Sequence, residues 1–108
     1  MKLLTSAILN AFEKQGDCSE KESKDVKVIA KFFNPQGAGT WYATEYNPAE
    51  RMFFGFVSMF NDYNDELGYF SLDELELFRG RLGLGIERDK SFDIGECTLK
   101  EIMDGKRP

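Results

Sequence analysis

The run WYATEYNPAERMFFGFVSMFNDYNDELGYFSLDEL, from Trp41 to Leu75, carries most of the aromatic side chains and constrains the fold more than any other stretch. Its central tetrapeptide, Asn47-Pro48-Ala49-Glu50, suits a β-turn, because Pro presets φ at the second position and Asn can bond its own downstream backbone from the first. With those four residues as the loop, Tyr46 falls across from Arg51, Thr44 from Phe53, Tyr42 from Gly55 and Trp41 from Phe56. That register gives Gly55 a purpose: a Gly within a strand exposes backbone, and the ring of Tyr42 laid over it would restore cover. Period-two alternation then predicts Trp41, Ala43, Phe54 and Phe56 on one face, with Tyr42, Thr44, Tyr46 and Phe53 on the other. Both faces are apolar, so helices are expected on each.

A chain of 108 residues is expected to form one domain, 1–108, with a core of modest reserve. Aromatic content of 14 % argues against disorder despite the many charges. A net charge of -5 disfavours an extended nucleic-acid surface, which needs clustered Lys and Arg. Cys18 and Cys97 stand far apart without a CxxC or CxxH spacing, so no metal site is expected and free thiols in a reducing cytoplasm are favoured. The absence of His removes Ser-His-Asp and Cys-His chemistry. No apolar run is long enough to span a bilayer, and the opening MKLLTSAILNAF continues into polar residues without a small-x-small cleavage pattern, against a secretory signal.

Leu3, Leu4, Ala7, Ile8, Ala11 and Phe12 recur at helical spacing, with Thr5 as cap, Leu4 and Leu9 as staple and Gly16 as end signal. The polar stretch 16–25 reads as a mobile connection. Strands follow at Val26 to Phe33, around Trp41, from Met52 to Phe60 and from Leu67 to Phe70, the first two joined by Asn34-Pro35-Gln36-Gly37-Ala38-Gly39 and the last two by a turn at 61–65. Such short links make an antiparallel meander the simplest topology. Ser71-Leu72-Asp73-Glu74 is a capping box with Phe70 and Leu75 as staple, and Gly80 is placed to end the helix in the left-handed conformation. Thr98-Leu99-Lys100-Glu101 repeats the box, with Cys97 and Ile102 as staple and Gly105 as terminator. Ile86 to Phe92 reads as an edge strand guarded by Glu87, Arg88, Asp89 and Lys90. The expected architecture is α+β: a mainly antiparallel meander of four or five strands packed by an N-terminal helix and a second helix after strand four.

The opening MKLLT, the KFF-NP loop, WYATEYNPAERMFFGF, ELGYFSLDEL and LGLGIERD, in this order, resemble a family of short uncharacterised bacterial proteins, a domain of unknown function common on plasmids and conjugative elements. The resemblance spans most of the chain. It implies a cytoplasmic accessory protein of a mobile element and transfers no activity, cofactor or catalytic residue.

Several groups could carry chemistry. Glu45 is a carboxylate on an aromatic strand with Lys31 expected diagonally, and a base raised by burial could work with Asp62 or Glu66 from a nearby loop. A structural ion pair explains it more simply. Six carboxylates and no Lys or Arg lie in Asp62 to Glu76, among them Asp65 and Glu66, so an acidic face could imitate phosphates or dock a basic partner, as an anti-defence protein would; a solvated face with Asp73 and Glu74 at a helix start is the plainer reading. Arg79, Arg81 and Arg88 around RGRLGLG could hold an anion, although no Walker or dinucleotide motif is present. Trp41, Tyr42, Tyr46 and Tyr69 could form a stacking platform, although half-buried core rings with a polar tip are the plainer reading, Tyr46 beside Arg51 at the hairpin end being the one expected to be exposed. Together these readings favour a non-enzymatic, protein-binding accessory without cofactor or membrane attachment. A small hydrolase using Glu45 with a loop carboxylate, or a single-stranded nucleic-acid binder, is the alternative.

Overall fold

The computed structural model describes residues 2–59, 65–80 and 82–108. Its centre is a five-stranded antiparallel sheet of β1 (Ala30–Phe33), β2 (Thr40–Asn47), β3 (Met52–Ser58), β4 (Glu66–Ser71) and β5 (Glu87–Arg88), in the order β4-β3-β2-β1-β5. The first four strands form the expected meander, and β5 returns to the free side of β1. It is only two residues long, flanked by Ile86, which is buried in the core, and by Asp89, whose amide makes the next bond in register to the Lys31 carbonyl before the chain turns away.

The β2–β3 register differs from expectation by a longer turn and a bulge. Asn47 does cap the turn through its side chain, accepting from the Ala49 amide at 3.0 Å and the Glu50 amide at 3.3 Å. Yet Arg51 joins the loop with φ at 54°, a conformation side chains seldom adopt, so Asn47 pairs with Met52 and Tyr46 with Phe53. Thr44 then bulges out of the ladder, and beyond it Ala43 pairs with Gly55 and Tyr42 with Phe56. Two devices hold the bulge: the Thr44 hydroxyl donates to the Phe54 carbonyl at 3.1 Å, and Gln15 Nε2 donates to the Thr44 carbonyl at 2.8 Å.

Face membership changes accordingly. Ala43, Trp41, Tyr46, Phe53 and Val57 share one core with Leu3 and Leu4 from the segment ahead of α1 (Ser6–Gln15), with Ile8 and Phe12 of that helix and with Leu72 and Leu75 from α2 (Leu72–Leu77). Tyr42 and Phe56 lie in the other, against Leu99 and Ile102 of α3 (Leu99–Met103), with Val26, Val28 and both cysteines. Phe54 and Phe56 thus part from Trp41 and Ala43. Tyr42 does approach Gly55, but with its carbonyl instead of its ring: a Cβ at Gly55 would sit 1.9 Å from that oxygen.

Helix starts follow their caps. Thr5 accepts from the Ile8 amide and Ser71 from the Glu74 amide; Phe70 and Leu75 are buried as a staple pair, whereas Leu9 is exposed and only Leu4 of its pair is buried. Gly80 does not end α2 in the left-handed conformation, since the helix stops at Leu77 with Phe78 extended. Gly80 instead packs against the amide end of the Gln36 side chain, which a Cβ there would have to displace. The stretch 16–25 is also tied down, its Cys18 buried and a 3-10 turn at Ser23–Asp25, with Gln15 clasping the Lys27 amide and carbonyl. Residues Val26–Val28 leave the meander to pair with Cys97–Leu99, which shortens β1 and brings α3 under the sheet.

The full capping box occurs at Thr98, where the Glu101 carboxylate accepts from the Thr98 amide at 2.9 Å and Thr98 accepts from the Glu101 amide at 3.2 Å. The Thr98 amide first, and then Lys106, hold the Glu101 carboxyl below its ordinary value. A group depressed in the folded state contributes stability above its ordinary pKa and loses it as pH falls through the lower folded value. Gln keeps the box geometry but not the charge. Glu101→Gln is therefore expected to lower the urea midpoint at neutral pH, with the two proteins converging in titrations taken to about pH 2; a gap that persists in acid would contradict this.

Candidate functional site

Where α1 ends against the β2–β3 hairpin, a groove of about 870 Å³ opens between Phe12, Glu13, Gly16, Asp17 and Ser19 on one side and Glu45 to Pro48, Glu50, Met52 to Phe54 and Tyr69 on the other. Sequence order does not place these together. The Gln15 bonds to Lys27 and Thr44 do, by fixing the helix end over the bulge. The groove is lined by the accessible rings of Tyr46, Phe54 and Tyr69, with the buried rings of Phe12 and Phe53 behind them, by the carboxylates of Glu13, Asp17, Glu45 and Glu50, and by no Lys or Arg.

Each part has a local cause. Phe53 packs on Tyr46 with centroids 4.8 Å apart and on Phe12 at 5.9 Å, while Phe54 meets Tyr69 edge-on at 5.0 Å. Asp17 accepts from the Ser19 amide at 2.8 Å, a bond that lowers its pKa and keeps it ionised. Glu50 accepts from Asn47 Nδ2 at 3.1 Å. Glu45 accepts from the Cys18 amide at 3.2 Å and so pins the start of the 16–25 segment. Carboxylates beside rings suit a Lys or Arg side chain, its stem on the aromatic surface and its cation at the acids.

The residues singled out from sequence divide between this groove and other work. Glu45 and Tyr46 line it, Tyr46 half-buried against Phe12 and Phe53 and not standing free. Arg51 is held by Asp73 at 2.7 Å and Glu76 at 2.9 Å, and the Asp73 bond raises its pKa further. Asp65 is turned inward with its side chain 4 % exposed, accepting from the Ser58 hydroxyl at 2.8 Å and lying 3.5 Å from Arg107. Arg79 donates to the Glu76 and Phe78 carbonyls at the end of α2. Asp62 and Arg81 lie outside the described residues.

The expected acidic face is therefore thinned: Asp65 is internal, Asp73 and Glu76 share the single cation of Arg51, and Glu66 and Glu74 remain exposed. Lys31 does not join Glu45 but pairs with Asp89 at 3.2 Å. Nor does Glu66 approach Glu45, since Glu45 pairs with Phe54 and Glu66 with Val57, three positions along β3. Tyr42 is buried beneath α3 while Trp41 and Tyr46 face α1, so the four aromatic residues make no common platform. Both cysteines are free and buried, and burial pushes the Cys97 thiol up to about 11. Among the described residues no group of three His, Cys, Asp or Glu could hold a metal ion, and no helix is long and apolar enough to cross a membrane.

By fold the chain is an α+β protein built on an antiparallel meander, with helices on both faces and an acid-rimmed aromatic groove at one corner. It belongs to the family described as protein of unknown function (DUF2958), whose model matches residues 3–104. No curated protein and no solved structure matches it.

Proposed function

We propose that this protein is a non-enzymatic accessory that binds another protein, and that the groove receives a basic segment of that partner. One observation carries the reading: four carboxylates and three accessible rings, Tyr46, Phe54 and Tyr69, line a single groove without an opposing cation. The overall charge of -5 would add long-range attraction for a basic partner and repel phosphate backbones. Glu45 supports binding over hydrolysis, because its carboxylate is engaged by the Cys18 amide and Glu66, one of the two acids sought for it, is remote, the other, Asp62, lying outside the described residues. The family resemblance suggests the setting, an accessory of a plasmid or conjugative element acting in the cytoplasm. A groove that takes cationic side chains would suit an anti-defence role, by occupying the basic surface of a nucleic-acid enzyme.

The rim offers a direct test, since Glu13, Asp17 and Glu50 are exposed and their amides preserve shape. Affinity capture from a bacterial host is expected to retain basic proteins on the parent at low salt, to release them near 0.5 M salt (roughly a 4 Å screening length), and to lose them on the combined Glu13→Gln, Asp17→Asn, Glu50→Gln variant. An identical set of proteins on parent and variant would refute the groove as the binding surface.

A further inference from the structure

We infer that the partner segment binds as an added strand on the free edge of β4, with Lys or Arg at alternate positions of the added strand; this rests on the protein-binding reading above. The two edges of the sheet are built differently. β5 offers two residues, Glu87 and Arg88, followed by Asp89 and Lys90, which is how an edge is shielded from pairing. In contrast, β4 offers six residues, ELGYFS, paired with β3 without a bulge and carrying Glu66 as its single charge. No Lys, Pro or bulge guards it.

Ladder parity says which groups are on offer. The Leu72 amide donates to the Arg51 carbonyl at 2.9 Å, and pairing is continuous from Ser71↔Met52 to Glu66↔Val57. Backbone groups alternate sides along an antiparallel strand. Phe70, Gly68 and Glu66 therefore bond β3, whereas Leu67 and Tyr69 aim their N–H and C=O at the open edge. Among the described residues nothing bonds these outward groups.

Side chains of the same two residues set the specificity. Tyr69 is 74 % exposed and Leu67 41 %, and both border the pocket that also contains Phe54, Met103, the two acids Glu45 and Asp17 and one cation, Lys21, the part of that sheet face α3 leaves bare. An added residue on this face lays its stem against Leu67 and Tyr69, with the cation at its end in the field of Glu66 on β4 and of Glu45 and Asp17 further in across the face. Every second residue of a strand returns to the face, hence the alternation. Charge argues against a second copy as occupant: self-pairing would bring two edges with Glu66, and two chains of -5, together with no cation on either β4.

The probe is a fluorescein-labelled peptide of alternating Lys and Thr, about eight residues to overlap a strand of this length, titrated by anisotropy against its Glu-Thr counterpart. The parent protein is expected to bind the Lys peptide and not the Glu one. Tyr69→Val, which loses the ring but keeps the N–H, should bind several-fold more weakly, and Tyr69→Pro should weaken binding by at least about tenfold beyond that, a difference near 1.4 kcal/mol. Pro is tolerated at this position because the lost N–H faces out. Two further peptides, N-methylated on all Lys amides or on all Thr amides, test the same geometry on unaltered protein. One should bind like the parent peptide and the other not; equal behaviour overturns strand addition. If the rim variant loses the peptide while Tyr69→Pro and both methylated peptides bind as before, the groove stands and strand addition is wrong. Failure of the parent protein to bind the Lys peptide overturns strand addition, with the capture experiment left to judge the groove. A dimer in sedimentation that Tyr69→Pro abolishes would show the edge to be a self-interface and overturn the assignment.

Discussion

Gly55→Ala is expected to destabilise the fold by on the order of 4 kcal/mol, in the range reached only by severe backbone or core disruption. The added Cβ would stand 1.9 Å from the Tyr42 carbonyl oxygen and 2.9 Å from its carbon. A methyl group has no rotamer to escape into, so the backbones of β2 and β3 must part. They are poorly placed to do so, because β3 is bonded on both sides, and the bulge beside them is held by the Thr44 hydroxyl and by Gln15. Against a total stability of about 5–15 kcal/mol for such domains, a substantial unfolded fraction should appear. Gly68 provides the control: it is the direct partner of Gly55 across the β3–β4 ladder, yet a Cβ there meets nothing within 4 Å. Gly68→Ala should be neutral or stabilising by up to about 1 kcal/mol. Urea unfolding followed by circular dichroism compares the three proteins, and a Gly55→Ala variant within about 1 kcal/mol of the parent would mean that the bulge does not press on this position.

The same bulge explains what the sequence could and could not disclose. Strand order, the Asn47 turn and the helix starts at Thr5, Ser71 and Thr98 depend on neighbours in the chain, and local chemistry displays them. The register of β2 on β3 depends on Arg51 taking a φ usually left to Gly, and on Gln15 bonding a carbonyl 29 residues away. Neither leaves a local mark. The site follows the same division: Glu45 and Tyr46 attract notice on their strand, but Glu13 and Asp17 join them only because the helix end is carried across the hairpin. Asp65 resembled its acidic neighbours until Ser58 and Arg107, the latter 42 positions on, drew it inside. Its charge was legible; its burial depends on a partner from another part of the chain.

Phe53→Ala is the second change expected to have a large effect, about 3–5 kcal/mol for truncating a fully buried Phe. Phe53 is 0 % exposed and touches four rings: Tyr46, Phe70, Phe32 and Phe12, with centroids between 4.8 and 5.9 Å. These come from β2, β4, β1 and α1 respectively. No single neighbour can collapse into the space without leaving its own strand or helix, so the cavity should persist and the loss should fall toward the upper end. Phe53→Leu, which keeps most of the volume, should cost about 1.5 kcal/mol. Phe54→Ala, one residue along but half-buried on the other face, should lose less stability than Phe53→Ala while weakening the Lys peptide more than any effect on folding accounts for. Equal destabilisation by the Phe53 and Phe54 truncations would contradict the face assignment, and with it the separation between the residue that anchors the sheet and the ring that the groove and the β4 edge share. If the ordering holds, the two adjacent phenylalanines divide the labour of the hairpin, Phe53 fixing the corner where α1 meets the bulge and Phe54 presenting the surface on which a cationic side chain would rest.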